Sequence, residues 1–183
     1  MEKFAVLDTE TNWENEIMSI GTVIAEAETF HIVDMKYHVL TPEYLVGGMY
    51  DRVLQPRMDV KTVCCNRERA LRDLQVWLKK NGVSAIFAYN AAFDHGLLPE
   101  LHGFEWYDIM RLAAYRQYNH MIPPAAECFR TGRLKRGYGV EPMLRLLSGN
   151  RTYCELHNAV HDAVDELEIM RLLGYAPTEY IPL

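Results

Sequence analysis

A chain of 183 residues, 49% apolar and 24% charged, has the size and balance of one globular domain with a substantial core. Its net charge of −6 argues against a broad, nonspecific grip on long nucleic acid but leaves room for an enzyme that holds only a strand end. No apolar run is long enough to span a bilayer and no basic-then-apolar leader stands at the N-terminus, so a cytoplasmic protein with no membrane partner is expected. Cys64, Cys65, Cys128 and Cys154 show neither Cys-x-x-Cys spacing nor a matching histidine pattern, and are expected as reduced thiols rather than a disulfide frame or a zinc site.

Taken in order, Phe4-Ala5-Val6-Leu7 is a strand buried on both faces, and it runs directly into Asp8-Thr9-Glu10-Thr11. Glu16–Ala27 and His31–Leu40 are two more strands. The short polar link between them predicts a three-stranded antiparallel meander, with Gly21 permitting a bulge or a close approach. Thr41–Asn66 is broken by Pro42, Gly47, Gly48 and Pro56 and is expected as a long loop holding at most one helical turn. Ala70, Leu71, Leu74, Trp77 and Leu78 recur at helical spacing across Arg67–Lys80, which Asn81-Gly82 terminates. A fourth strand over Val83–Tyr89, reached through that helix, should lie parallel to a neighbour.

A helix over Ala91–Leu101 follows, containing Phe93, Leu97, Leu98 and Leu101. Phe104–Tyr118 should hold a short strand or turn and then a helix. Met121–Tyr138 is a second loop, Val140–Leu147 a short helix, and Asn158–Leu173 a long amphipathic one. Three strands, a helix, a strand and then helices imply an α/β domain on a mixed sheet.

Acids stand in unusual settings at three places. Asp8 and Glu10, two apart on a strand, point to one face and repel unless a cation or proton lies between them. A surface turn would carry the same pair without chemistry. Asp94 falls in the first turn of the helix that follows a buried strand ending at Asn90, where an acid also serves the helix dipole. Asp162 follows His157 by five residues at the edge of an apolar stripe, and its plain alternative is an acidic outer face shared with Asp165, Glu166 and Glu168. Together these are four carboxylates from three segments. Oxygen donors at that density suit two hard divalent cations, Mg²⁺ or Mn²⁺, which about 4 Å apart can clamp both oxygens of a phosphoryl displacement. A histidine beside them can take a proton from attacking water.

The order Asp8-Thr9-Glu10-Thr11, Tyr89-Asn90-Ala91-Ala92-Phe93-Asp94 and His157-Asn158-Ala159-Val160-His161-Asp162 resembles the DEDDh branch of the DEDD 3′–5′ exonucleases. That family includes the proofreading epsilon subunit of bacterial DNA polymerase III, ribonuclease T and oligoribonuclease. Tyr107–Ala113 resembles the aspartate-led helix start found after the family's second motif. The resemblance covers nearly the whole chain and implies a single exonuclease domain, residues 1–183, of ribonuclease H-like fold: a five-stranded mixed sheet, three antiparallel strands and then parallel ones, flanked by helices. It implies that Asp8, Glu10, Asp94 and Asp162 hold two metal ions, with Glu10 touching both, and that His157 is the general base. Thr9 and Thr11 would help seat the 3′-terminal nucleotide, and Asn90, grouped with them at the substrate side, would buttress the loop before Asp94 rather than bind metal. The implied reaction is metal-dependent 3′–5′ hydrolysis of single-stranded DNA or RNA to nucleoside 5′-monophosphates.

Some residues depart from the family pattern: no glycine follows Thr11, Ser19 replaces a frequent glutamate, Tyr89 replaces a frequent histidine, and Thr41–Asn66 lacks a His-Gly-Ile signal. None removes a metal ligand or the base. Homodimerisation is compatible with the resemblance but no patch in the sequence supports it, and nothing indicates a polymerase partner.

Rival readings are weaker. The Asp-x-Asp-x-Thr loop of haloacid-dehalogenase-type phosphatases needs an aspartate where Glu10 stands. A zinc site on His157 and His161 lacks the glutamate of His-Glu-x-x-His, leaving His161 as an exposed neighbour. A non-catalytic nucleic-acid-binding module of the same fold is the alternative from a different class. The basic run Arg130, Arg133, Lys135, Arg136 reads equally as a solvated loop and as a grip on strand phosphates, and Trp13, Phe129 and Tyr138 are open candidates for stacking on a base.

Overall fold

The computed structural model describes all of residues 1–183. Strands β1 (Lys3–Thr11), β2 (Ile17–Glu26) and β3 (Ile32–Leu40) form the expected antiparallel meander. Strand β4 (Thr62–Cys65) adds parallel to β3 at one edge, and β5 (Ala85–Ala88) and β6 (Glu105–Asp108) extend the sheet in parallel from β1 at the other. The order is β4-β3-β2-β1-β5-β6, a six-stranded mixed sheet rather than the expected five. The additional strand is β4, within the stretch expected to be loop. It has four residues and sits at the edge, so only its pairing with β3 defines it and its sequence carries no full period.

Helix α1 (Arg67–Lys80) has the expected bounds. Asn66 accepts the Arg69 N–H at 3.0 Å as N-cap, and all five apolar positions of the expected stripe are buried. Helix α2 (Ala92–Leu97) is shorter than expected. Pro99 disfavours helical geometry at Leu98, whose φ of −121° and ψ of 59° end the helix before a single 3-10 turn over Pro99–Leu101. Phe93 on this helix is 45% exposed, and Asp94 is its buried side chain. The remaining helices are α3 (Met110–Ala113), α4 (Val140–Ser148) and α5 (Ala159–Leu173); Gly149 and Gly174 close the last two in left-handed conformation.

Two cores flank the sheet. Alternate residues of β1 supply them: Ala5 and Leu7 face the core under α1, and Phe4 and Val6 face the core shared with α4 and α5. Asp8 and Glu10 continue the phase of Phe4 and Val6, and therefore emerge beneath α5. Gly21 pairs with Asp8 across the ladder. It lies so close to the first turn of α5 that a Cβ there would stand 2.1 Å from the Ala159 carbonyl carbon and the Val160 nitrogen. The missing side chain is what brings the helix carrying Asp162 down onto the strand carrying Asp8 and Glu10. No helix is long and apolar enough to cross a membrane.

Candidate active site

The site opens at the carboxyl ends of β1 and β5, which are parallel neighbours, and is roofed by the start of α5. Open α/β sheets place ligands in such a crevice. Three of the four expected acids are nearly inaccessible, Glu10 at 8%, Asp94 at 2% and Asp162 at 4%, while Asp8 is half-buried. Burial, reinforced by Glu166 and Asp94, holds the Asp8 carboxyl well above the usual carboxylate range. Burial also pushes Asp94 to about 7, against the opposing hydrogen bond from Thr9. Glu10 is pushed to about 8, and Asp162 to about 9 with Glu155 and Glu10 adding to the effect of burial. Glu10 and Asp162 lie close enough for a proton on one to be shared with the other. Ligand atoms of Glu10, Asp162 and His157 all lie within 4.8 Å of one another.

Two observations fit this cluster to divalent cations. Asp162 Oδ1 is buried without a hydrogen-bond partner. The surrounding donors are also hard oxygens whose mutual repulsion a cation relieves more fully than one shared proton does. His157 faces the same space from outside the acids. It is one of four non-glycine residues with positive φ, at 53°, and its ring stacks on Tyr50 with centroids 4.1 Å apart and planes 16° from parallel. Partial burial lowers its pKa below the ordinary histidine value, outweighing the upward pull of Glu141, so the ring is neutral at neutral pH and free to accept a proton.

The sequence matches no family model and no curated protein. Solved structures do match. The nuclease domain of 3′hExo, described as a DEDDh family member bound to rAMP, superposes with a TM-score of 0.65 at 15% identity, over 100% of this chain and 96% of that one. The chain shares its fold with that nuclease domain. A 3′-exonuclease described in 3′-end specific recognition of a histone mRNA stem-loop gives a TM-score of 0.65 at 14% identity, over 100% of this chain and 90% of that chain. Exonuclease I of E. coli in complex with a dA16 oligonucleotide gives 0.58 at 12% identity, over 97% of this chain but 42% of that longer one.

The residues expected at the substrate side have these surroundings in the fold. Thr9 is 6% exposed and donates its hydroxyl to Asp94 Oδ1 at 2.6 Å, so it orients an acid. Asn90 projects its side chain to solvent at a φ of 61°. The loop before Asp94 is buttressed by Asp108, whose Oδ1 accepts the N–H groups of Asn90 and Met110, both at 3.0 Å. Thr11 stays half-buried at the end of β1. His161 is half-buried rather than exposed: its Nε2 accepts the Arg57 N–H at 2.8 Å and is turned away from any zinc role.

Two residues went unread in the sequence. Glu166, assigned to an acidic outer face, is 1% exposed and accepts the Tyr89 N–H at 3.0 Å, tying α5 to the end of β5 beside Asp8 and Asp94. Its signal was present, since it lies one helical turn after Asp162 and three residues before the fully buried Ile169. Tyr50, the partner of His157, lies in an aperiodic loop that offers no pattern by which to single it out.

Proposed function

We propose that this chain is a metal-dependent 3′–5′ exonuclease that hydrolyses the terminal phosphodiester of single-stranded DNA or RNA and releases nucleoside 5′-monophosphates. The observation that carries the reading is the convergence of Asp8, Glu10, Asp94 and Asp162 from three segments onto one crevice, with the neutral His157 at its edge. The neighbours of the same fold are described with rAMP, with a stem-loop RNA 3′ end and with single-stranded DNA, which agrees with a nucleic-acid 3′ end as substrate.

Asp8, Glu10, Asp94 and Asp162 would hold two Mg²⁺ or Mn²⁺ ions. When bound, such cations polarise the scissile phosphate and neutralise charge on the attacking and leaving oxygens. His157 Nε2 or Nδ1 takes the proton of the attacking water, and Tyr50 holds its ring in place by stacking. Thr9 and Asp108 fix the approach of Asp94; Glu166 and Gly21 fix that of Asp162. Burial of the acids excludes bulk water and strengthens each of these interactions.

The test is degradation of matched 5′-labelled single-stranded DNA and RNA oligomers in Mg²⁺, Mn²⁺ or EDTA. A ladder shortening from the 3′ end and abolished by EDTA is expected. The absence of product on both substrates from folded, metal-loaded protein would replace the reading with a binding module of the same fold.

A further inference from the structure

Outside the acidic crevice, one hairpin carries four of the chain's 19 lysines and arginines within seven residues. Cys128–Tyr138 turns at Gly132, whose φ of 89° suits glycine, and carries exposed Arg130, Lys135 and Arg136 together with Arg133. The hairpin is fastened to the body. Leu134 is buried and donates its N–H to the Ala114 carbonyl at 2.9 Å. Arg116 N–H reaches the Gly132 carbonyl at 3.0 Å, and Phe129 N–H closes on the Arg133 carbonyl at 2.7 Å. On it the Arg133 guanidinium lies 4.9 Å from the ring centroid of Phe129 and 5.2 Å from that of Tyr138. Both rings are left open, at 45% and 40% exposure. An aromatic pair of this size kept at the surface around one arginine does nothing for the core, whose nearest contribution from this hairpin is Leu134.

Its place is equally specific. The Tyr138 carbonyl accepts the Tyr89 hydroxyl at 2.5 Å, and Tyr89 is the residue whose N–H binds Glu166, five positions before Asp94. One tyrosine therefore joins the hairpin to the wall of the crevice.

We propose that Phe129, Arg133 and Tyr138, with Arg130, Lys135 and Arg136, form a second subsite that holds a single nucleic-acid strand beyond its terminal nucleotide. This rests on the nuclease reading given above. Bases stack on the two open ring faces, and the cations meet the phosphates between them. Arg133 serves both, being planar enough to lie against an aromatic face and able to present two N–H groups to one phosphate. The platform gives an acidic chain with net charge −6 a local set of four cations with which to engage a polyanion.

The experiment compares wild type with Arg133→Ala, Arg133→Lys, Phe129→Ala and Arg130→Ala/Lys135→Ala. Binding of fluorescein-labelled single-stranded DNA and RNA 12-mers is read by anisotropy in Ca²⁺ across a salt series. Hydrolysis of the 12-mers and of a dinucleotide is read in Mn²⁺. Phe129→Ala and Arg133→Ala should weaken 12-mer binding by about 5- to 150-fold, the range for losing one stacked base. The double variant should flatten the slope of log affinity against log salt by about 0.7 for each phosphate that is no longer neutralised. In hydrolysis the loss appears in KM for the 12-mer, at least fivefold more than for the dinucleotide, and Arg133→Lys falls between wild type and Arg133→Ala. An effect on RNA alone supports the platform and adds that it senses the 2′-hydroxyl. Equal 12-mer affinity and equal salt slope in all proteins would overturn the platform while leaving a wild-type ladder as support for the nuclease reading. Platform-dependent binding with no hydrolysis in Mg²⁺ or Mn²⁺ would sink the nuclease reading and leave the platform standing.

Discussion

Replacing Gly21 with alanine tests whether the site is assembled by backbone approach. An alanine Cβ would sit 2.1 Å from two backbone atoms of α5, whereas ordinary contact begins at 3.4 Å, so helix or strand must retreat by at least about 1.3 Å. The backbone of Gly21 is not in the left-handed region, so alanine brings no conformational strain of its own. It would in fact stabilise by about 0.4–1 kcal/mol through the unfolded chain if space allowed. Overpacking costs about 1–3 kcal/mol, more when the clash is with backbone that cannot rotate aside, so the clash wins. A net loss of about 1–2 kcal/mol lowers Tm by roughly 2–8 °C at this chain length. The larger effect is on turnover. The same retreat moves Asp162 away from Glu10 and Asp8, and misplacement by about 1 Å at a reacting centre costs on the order of 100-fold. Thermal melting and exonuclease rates on one oligomer, with a Mn²⁺ titration by calorimetry, measure all three. Wild-type turnover and Mn²⁺ affinity in a folded Gly21→Ala protein would refute the idea that this contact sets the position of Asp162.

Other expectations rest on charge. In EDTA the folded state holds protons on Asp94, Glu10 and Asp162 up to about pH 7, 8 and 9, while the unfolded chain releases them near pH 4. The folded state thus binds more protons across that window, so metal-free stability is full below about pH 4 and declines progressively to about pH 9; a metal-free Tm that is flat or rises from pH 5 to 9 would contradict the raised values. Saturating Mn²⁺ should lift Tm most at the alkaline end, because the cation takes the place of those protons. Asp94→Asn removes one of the crowded charges and keeps an oxygen for Thr9, so it should abolish turnover yet melt a few degrees higher than wild type in EDTA at pH 8; an equal or lower Tm would mean the acids are not crowded. His157→Ala should cut kcat by about 10²- to 10⁴-fold, and calorimetry should show Mn²⁺ affinity within a few-fold of wild type, since loss of the metal would make His157 a ligand rather than a base. Glu166→Gln keeps an oxygen for the Tyr89 N–H and should retain the fold, whereas Glu166→Ala releases α5 from β5 and should lower both Tm and Mn²⁺ affinity; equal melting of the two variants would remove the strut role.

What could be read from the sequence follows from periodicity and spacing. The meander, α1 and α5 were legible because long apolar patterns admit one solution each, and α1 matches to the residue. The grouping of the acids was legible because parity on β1 put Asp8 and Glu10 on one face and fixed offsets followed β5 and opened α5. Legibility failed where pairing or burial decides without a pattern. Strand β4 exists through its partner β3. Phe93 faces solvent because Asp94 takes the buried position on a helix only six residues long. Glu166 was read as surface because a carboxylate is nearly always outside, and only the hydrogen bond from the Tyr89 N–H offsets its burial here. The Thr9 hydroxyl beside the clustered acids has no pattern that reveals its partner in advance, and it donates to Asp94 at 2.6 Å.

These exceptions share a cause. Like charges pressed together would drive the three segments apart, so each segment needs an anchor that does not itself depend on the metal. The β1 ladder holds Asp8 and Glu10. Thr9 and Asp108 hold the loop of Asp94. The bare Cα of Gly21 and the Glu166–Tyr89 hydrogen bond hold the first two turns of α5, and Asp162 with them, against the sheet. Each anchor is a local rule broken: a buried carboxylate, a strand glycine in the middle of a sheet, a threonine spent on an acid. Such departures are stabilised only by the geometry they produce, and that geometry has no structural value apart from the cluster it encloses. The places where the chain disagrees with its own local preferences therefore mark the functional site as clearly as the acids do.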